Sequence, residues 1–279
     1  MIPPNVVAFI FSIVISAIAI GILCYPFFVK WQRDRLMAQQ FPKSWLSIIE
    51  SNLSIYKSMT SEQQKELLGY IQVFLKEKQF IGCLGLQITQ EIKVTIAAIA
   101  CLLLFGDRKT YFPNLRSILV YPHAYIVNEM VMSDRYVVEE RRVARLGESW
   151  TRDQLVLSWE QVQQDIRNWQ DGHNVVLHEF AHQLDQEDGQ AEGVPILSRA
   201  MDYAAWSKVM TTEYLQLCDR VECGKKTVID SYGATNPAEF FAVATETFFE
   251  KPHQLNQKHP SLYEILQRYY YLDPRQWQH

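Results

Sequence analysis

No charged side chain occurs between Met1 and Val29, which sets the first thirty residues apart from the rest of the chain. Beyond them there is no basic excess. The 27 lysines and arginines are outnumbered by 31 acids, for a net charge of -4, so no electrostatic footprint for nucleic acid exists. The five cysteines, Cys24, Cys83, Cys101, Cys218 and Cys223, form no CxxC pair and are odd in number. This excludes a disulfide framework and reads as free thiols in a reducing compartment, with Cys24 in lipid. Internal repeats and low-complexity tracts are absent as well. With 48% hydrophobic and 13% aromatic residues, the chain is far from a disordered composition and has the material for a real core.

The uncharged start is almost continuously apolar from Val6 to Val29. As a helix these residues span roughly 36 Å, enough to cross a hydrocarbon core of ~30 Å with some tilt. A cleavable signal peptide fits poorly, because a basic n-region and a clear small-residue cleavage site before Tyr25-Pro26 are both missing. The expectation is a retained single-pass anchor over residues 1–29. Lys30, Arg33 and Arg35 follow it and nothing basic but the amino terminus precedes it, so the positive-inside rule puts the C-terminal part in the cytoplasm. The membrane is then a bacterial inner membrane. A second apolar run, Val94 to Phe105, is too short to cross and reads as a buried core helix.

Residues 30–59 read as a juxtamembrane connector and residues 60–279 as the main domain. Ser61 with Gln64 has capping-box spacing and opens a helix through Leu75. Leu86–Thr89 suggests a short strand, 92–105 a helix, and 111–145 short strands interrupted by prolines, with another strand near Leu155–Trp159. Helices are expected over about 174–185, 198–217, 236–249 and 260–270. The third has Asn236 as N-cap and Pro237 at its first position. The fold class is α+β, mostly helical with a small mixed sheet.

The chemistry is concentrated in His178-Glu179-Phe180-Ala181-His182. Residues four apart on a helix leave the same face one turn apart, so both imidazoles reach one metal ion at ~2.0–2.1 Å. Glu179 is then placed to take a proton from water and pass it to a leaving amine. With only seven histidines in the chain, a chance HExxH is on the order of one in a hundred. A pair of satisfied core histidines is the bland alternative. An intramembrane protease would need this motif inside an apolar span, and residues 165–190 are too polar for that.

A catalytic zinc usually takes three protein ligands. The metzincin pattern would put glycine at position 185 and histidine at 188; Asp185 and Asp188 stand there instead. The remaining candidates are Glu187, Glu192, Glu213, Glu222, Glu239 and Glu246. Glu239 and Glu246 lie seven apart on one face of an otherwise apolar helix. Asn236 and Glu239 also have capping-box spacing, and on spacing alone ligand and cap stand even. Asp185 is a candidate partner for the outer N–H of a ligand histidine, as is Glu246.

The run Asn174 to Asp185, with Asp230-Ser-Tyr-Gly-Ala-Thr-Asn-Pro-Ala-Glu-Phe-Phe-Ala242, resembles the Mlc titration factor A family of zinc peptidases. So do Ile71–Leu75, Phe80–Thr89, Val94–Leu104 and Ile118–Pro122, and the resemblance covers roughly 60–250. It implies a zincin-like fold of gluzincin type with one Zn2+, and it maps the third ligand to Glu239 and a catalytic tyrosine to Tyr232. A phenol beside the metal can hydrogen-bond the oxyanion of a tetrahedral intermediate. The expected metal set is therefore His178, His182 and Glu239, with Glu179 and Tyr232 catalytic and a peptide or protein as substrate. The resemblance also implies a transcriptional repressor as a protein partner, and hence a second reading as a regulatory binding module with little peptidase activity. The resembled proteins are typically soluble, so the anchor is a departure.

Overall fold

The computed structural model describes residues 4–106, 110–123, 125–133, 137–145, 147–151, 153–198 and 201–278, and it divides into two units, residues 1–40 and 41–279. The first unit is one helix, α1 (Pro4–Met37). It runs past Val29, the expected end of the span, through the basic residues that follow. Its 29 residues from Phe9 to Met37 are long and apolar enough to cross a membrane. An amphipathic surface helix buries one stripe, whereas here Phe9, Leu23 and Phe27 are all at least two-thirds exposed.

The second unit starts before residue 60. The segment expected to be a connector folds as α2 (Lys43–Asn52) and a 3-10 turn, Ser54–Ser58. Ile49, Leu53, Ile55 and Tyr56 are buried, and Asn52 donates to Thr95 at 2.8 Å. Helix α3 (Ser61–Glu77) opens with a capping box one residue earlier than the sequence suggests, between Thr60 and Gln63. Gln64 instead donates its amide to the carbonyls of Tyr56 and Met59, tying the turn to the helix.

Strand β1 (Gln79–Gly82) follows directly. The strand expected at Leu86–Thr89 does not form. Leu86 closes a turn onto Cys83, and Thr89 is spent as N-cap of α4 (Gln90–Ala100), accepting from Ile92 at 3.2 Å. From Val94 through a 3-10 turn to Leu104 every residue is buried, so the second apolar run is core. Next come β2 (Ser117–Tyr121), a hairpin of β3 (Tyr125–Ser133) and β4 (Val137–Arg145), β5 (Gly147–Thr151) and β6 (Gln154–Ser158). The main sheet has order β1-β2-β6-β5. Its first three strands are parallel and β5 is antiparallel at the edge, so it is a small mixed sheet, while β3 and β4 pair separately.

The C-terminal half is helical: α5 (Trp159–Arg167), α6 (Val175–Asp185), α7 (Tyr203–Glu222), α8 (Pro237–Glu250), α9 (Pro252–Lys258) and α10 (Pro260–Tyr270). Helix α7 begins five residues later than expected, where Asp202 caps it. Helix α9, started by Pro252 at its first turn, had no counterpart in the sequence reading.

Helix α6 packs against α4, α5, α8 and the sheet. Phe180, fully buried on its back face, meets Phe112 at 4.8 Å and Phe74 at 5.7 Å between ring centroids. On the other side of α8, Trp206, Phe241 and Tyr269 form a second aromatic cluster. Such edge-to-face and tilted contacts add to the apolar area removed from water. Replacing Phe180 with Ala should destabilise the protein by about 3–5 kcal/mol, seen as a lowered thermal midpoint of the full chain in detergent. A loss below about 1 kcal/mol would mean that this cluster does not anchor α6.

Candidate metal centre

Helix α6 owes its position to its first turn. The opening N–H groups of any helix lack partners within it and carry partial positive charge. Here Asn174 caps Leu177 at 3.1 Å, and three buried carboxylates take the groups around it. Asp165 of α5 accepts from the Val175 N–H at 2.8 Å, Glu246 of α8 from the Asn174 N–H at 2.7 Å, and Glu250 from the Gly172 N–H at 2.9 Å. Glu250 also accepts from the Asn174 side-chain amide at 3.1 Å. Burial pushes the Glu250 carboxyl up to about 9, although the bonds from Asn174 and Gly172 pull it down. Asp165 is raised to about 6, again by burial first.

The far end of α6 is tied to the same partner. Asp185 accepts from the Gly193 N–H at 2.9 Å, and Trp206 donates to the Gly193 carbonyl at 3.3 Å. Gly193 has a φ of +73° and presses on the start of α8, where a Cβ would fall 2.3 Å from the Pro237 carbonyl oxygen. Asp185 therefore fastens the 193 loop and makes no hydrogen bond to a histidine among the described residues. With the start of α6 held by the end of α8, and its end by the start of α8, the two helices run antiparallel. Residue 239 is brought opposite residues 178 and 182.

Between them lie three convergent ligand atoms. His178 Nε2 and His182 Nε2 are 3.2 Å apart, and Glu239 Oε2 is 3.1 Å from the first and 3.3 Å from the second. Spacing left Glu239 between a cap and a ligand. Its backbone N–H goes to the Asn236 cap at 3.0 Å, while its carboxylate turns to the histidines instead of back to Asn236. Of the other glutamates considered, Glu213 pairs with His259 at 2.7 Å, Glu187 accepts from Thr110, and Glu246 contacts the opposite nitrogen of His178. That Glu246 contact, at 2.6 Å to His178 Nδ1, leaves Nε2 facing the centre. Glu246 thus bridges the start of α6 and one of its histidines.

The donor set fits a zinc-like cation. Three ligand atoms around a tetrahedral ion at ~2.0 Å are about 3.3 Å apart, which is the triangle found here. Glu179, Glu239 and Glu246 bring three carboxylates into a nearly buried site, and no lysine or arginine pairs with any of them among the described residues. A buried cluster of this sign asks for a cation. Burial drives the Glu239 carboxyl upward, but hydrogen bonds and charge from both histidines outweigh it and hold it well below the usual range. Burial lowers His178, and its bonds to Glu239 and Glu246 raise it further than that. Glu179 is buried beside His178, and desolvation raises its carboxyl against the pull of both histidines.

Tyr232 sits on a 3-10 turn, Ser231–Ala234, whose start is capped by Asp230 accepting from the Tyr232 N–H at 2.8 Å. Its ring is 5.9 Å from that of His178 and about half exposed, so the phenol stands at the rim of the centre. Asp165 and Glu250 were missed by sequence reading. The signal for Glu250 was present, since it follows Glu246 by four on an apolar helix and so shares its face.

Comparison with known proteins points to a metallopeptidase family. The family described as Glucose-regulated metallo-peptidase M90 matches residues 28–271. A protein of Synechocystis sp., whose name records no activity, is 45% identical over 266 residues, covering 94% of this chain and 97% of the relative. Mlc titration factor A of Salmonella arizonae is 28% identical over 253 residues, covering 89% and 98%. The protein of the same name from Escherichia coli O7:K1 is 28% identical over 255 residues, covering 90% and 94%. The family match extends beyond residues 60–250 at both ends and begins where the apolar stretch closes.

Metal analysis separates the roles of Glu239 and Glu246 on α8. Glu239→Ala should lose bound zinc, while Glu246→Gln should keep it with roughly 10–100-fold weaker affinity, read by chelator competition. Wild-type zinc affinity in Glu239→Ala would remove Glu239 from the ligand set.

Proposed function

Because this chain belongs to the glucose-regulated metallo-peptidase family M90, we propose that it is a zinc-dependent peptidase of gluzincin type, held at the membrane by α1 with its C-terminal body in the cytoplasm. The observation that carries this is the triangle of His178, His182 and Glu239, with Glu179 buried next to it and Tyr232 at its rim. In this reading the histidines and Glu239 would hold the zinc, with Glu246 fixing the ring of His178. A bound ion would supply Lewis acidity toward the scissile carbonyl and the attacking water.

The protein's own groups do the proton transfer. The Glu179 carboxylate accepts a proton from the attacking water and returns it to the amine as the C–N bond breaks. Its burial beside the two histidines keeps it out of competition with bulk water. The Tyr232 hydroxyl donates a hydrogen bond to the carbonyl oxygen as negative charge builds there. Its exposed setting suits a group that must meet a substrate entering from solvent.

A protein partner is a second component of the proposal. Relatives are named for titrating Mlc, and a regulatory contact is compatible with either an active or an idle zinc site. A Glu179→Gln protein that still rescued a deletion strain would favour the binding role over the peptidase role.

Glu179→Gln should bind zinc at wild-type stoichiometry and lose at least about 100-fold in peptide hydrolysis. Tyr232→Phe should lower kcat by roughly 100-fold with KM little changed. Hydrolysis unaltered in the first variant would overturn the mechanism. For topology, a reporter fused after His279 should be active only in the cytoplasmic form, as Lys30, Arg33 and Arg35 on the C-terminal flank of the apolar stretch require. A signal from the other side of the membrane would reverse the assignment.

A further inference from the structure

Beside the turn that carries Tyr232 lies a pocket of about 250 Å³ that the mechanism does not use. It is bounded by residues 171–173, just before the Asn174 cap, by the loop 225–231 that leads into the Tyr232 turn, and by Lys251 after α8. Three lysines are among its lining residues, Lys225, Lys226 and Lys251, and none has a carboxylate partner among the described residues. Its two carboxylates are already engaged. Asp171 accepts from the His173 N–H at 2.9 Å, and Asp230 accepts from the Tyr232 N–H at 2.8 Å with its second oxygen 3.6 Å from the His173 ring. The lining thus carries an excess of one positive charge, and its cations are the unsatisfied groups.

The floor is shaped to admit one of those cations. Gly172 has a φ of +85°, and a Cβ on it would fall 2.9 Å from Lys251 Nζ and 3.1 Å from Cε. A side chain at 172 would push the ammonium out of the pocket, and glycine lets it lie across the backbone. The opposite wall, Asp230 and Ser231, immediately precedes Tyr232 in the same capped turn. The pocket therefore borders the turn that carries Tyr232.

We propose that this pocket binds a carboxylate of the substrate peptide within a few residues of the scissile bond, which makes the enzyme selective for acidic peptides. The inference rests on the peptidase reading. The carboxylate has two sources, an acidic side chain or the C-terminus of a short peptide, and both offer the same chemistry to lysines.

The test uses the full chain in detergent, loaded with zinc, and matched peptides in which one glutamate is moved along a neutral sequence. Each peptide has a glutamine twin and is made as free acid and as C-terminal amide. Binding to the Glu179→Gln protein is measured by calorimetry and cleavage by wild type as kcat/KM. At one position, or for the free acid alone, the anionic peptide should bind at least about fivefold more tightly than its neutral twin. Position dependence identifies a side chain, and dependence on the amide identifies the C-terminus. The ratio should fall to about one in Lys225→Ala/Lys226→Ala and in Lys251→Ala, and return with the corresponding Lys→Arg changes. As a ratio within one protein, it does not depend on how much of each variant folds. Equal binding of all twins, or a preference that survives in the lysine variants, overturns the proposal. Preferential binding without cleavage by wild type overturns the peptidase reading and leaves the pocket. Cleavage without preference overturns the pocket alone, and peptides neither bound nor cleaved overturn both.

Discussion

The site depends on carboxylates from two other helices reaching the unpaired N–H groups at the start of α6. Asp165, Glu246 and Glu250 come from α5 and α8, and together they satisfy Gly172, Asn174 and Val175. In water these backbone groups would be hydrated at no cost. Here they are buried, and leaving one unpaired would cost about 1–3 kcal/mol. The helix that carries both histidines is thereby held at its first turn, in a single rotation about its axis.

Glu246 makes that constraint chemical. One oxygen holds the Asn174 backbone and the other holds His178 Nδ1, so the mechanical anchor of the helix also selects the imidazole nitrogen that faces the centre. The opposite end is secured by a steric contact, in which Gly193 lies so close to Pro237 that no side chain fits between. A charge-assisted clamp at one end and a close backbone approach at the other define the spacing of α6 and α8. The Glu239 carboxylate meets two imidazoles about 3 Å away as a consequence. A convergent site of this kind needs positions held to within ~0.5 Å, and rigid elements supply that better than loops.

The legibility of this protein in its sequence was uneven for physical reasons. The capped helix at 174–185, the Asn236-Pro237 start and the buried run at 94–105 obeyed local rules, because caps and apolar runs act over one or two turns. The stretch 86–89 failed, since Thr89 had a competing use as an N-cap that outweighed its strand propensity. Residues 43–59 failed for the opposite reason. Their mixed charge resembles a linker, yet Ile49, Leu53 and Tyr56 are buried, with α2 packed on α4 and the turn after it on residues 274–277. Helix α9 is only seven residues long, below what local propensity sustains in isolation, and exists by packing.

From sequence alone, the HExxH spacing determined that two imidazoles and a carboxylate share a stretch of one helix, because 3.6 residues per turn leaves no other outcome. Family membership was legible in the same residues. So was the uncharged, apolar start of α1, whose length suffices to cross a bilayer. Tertiary structure alone decided which distant glutamate faces the histidines and which nitrogen of His178 is turned away. It also brought three lysines around one pocket beside the Tyr232 turn. The first two of those relations join residues 57 and 68 positions apart. They depend on how α6 and α8 are clamped, and no local periodicity encodes the register between two helices separated by fifty residues of chain.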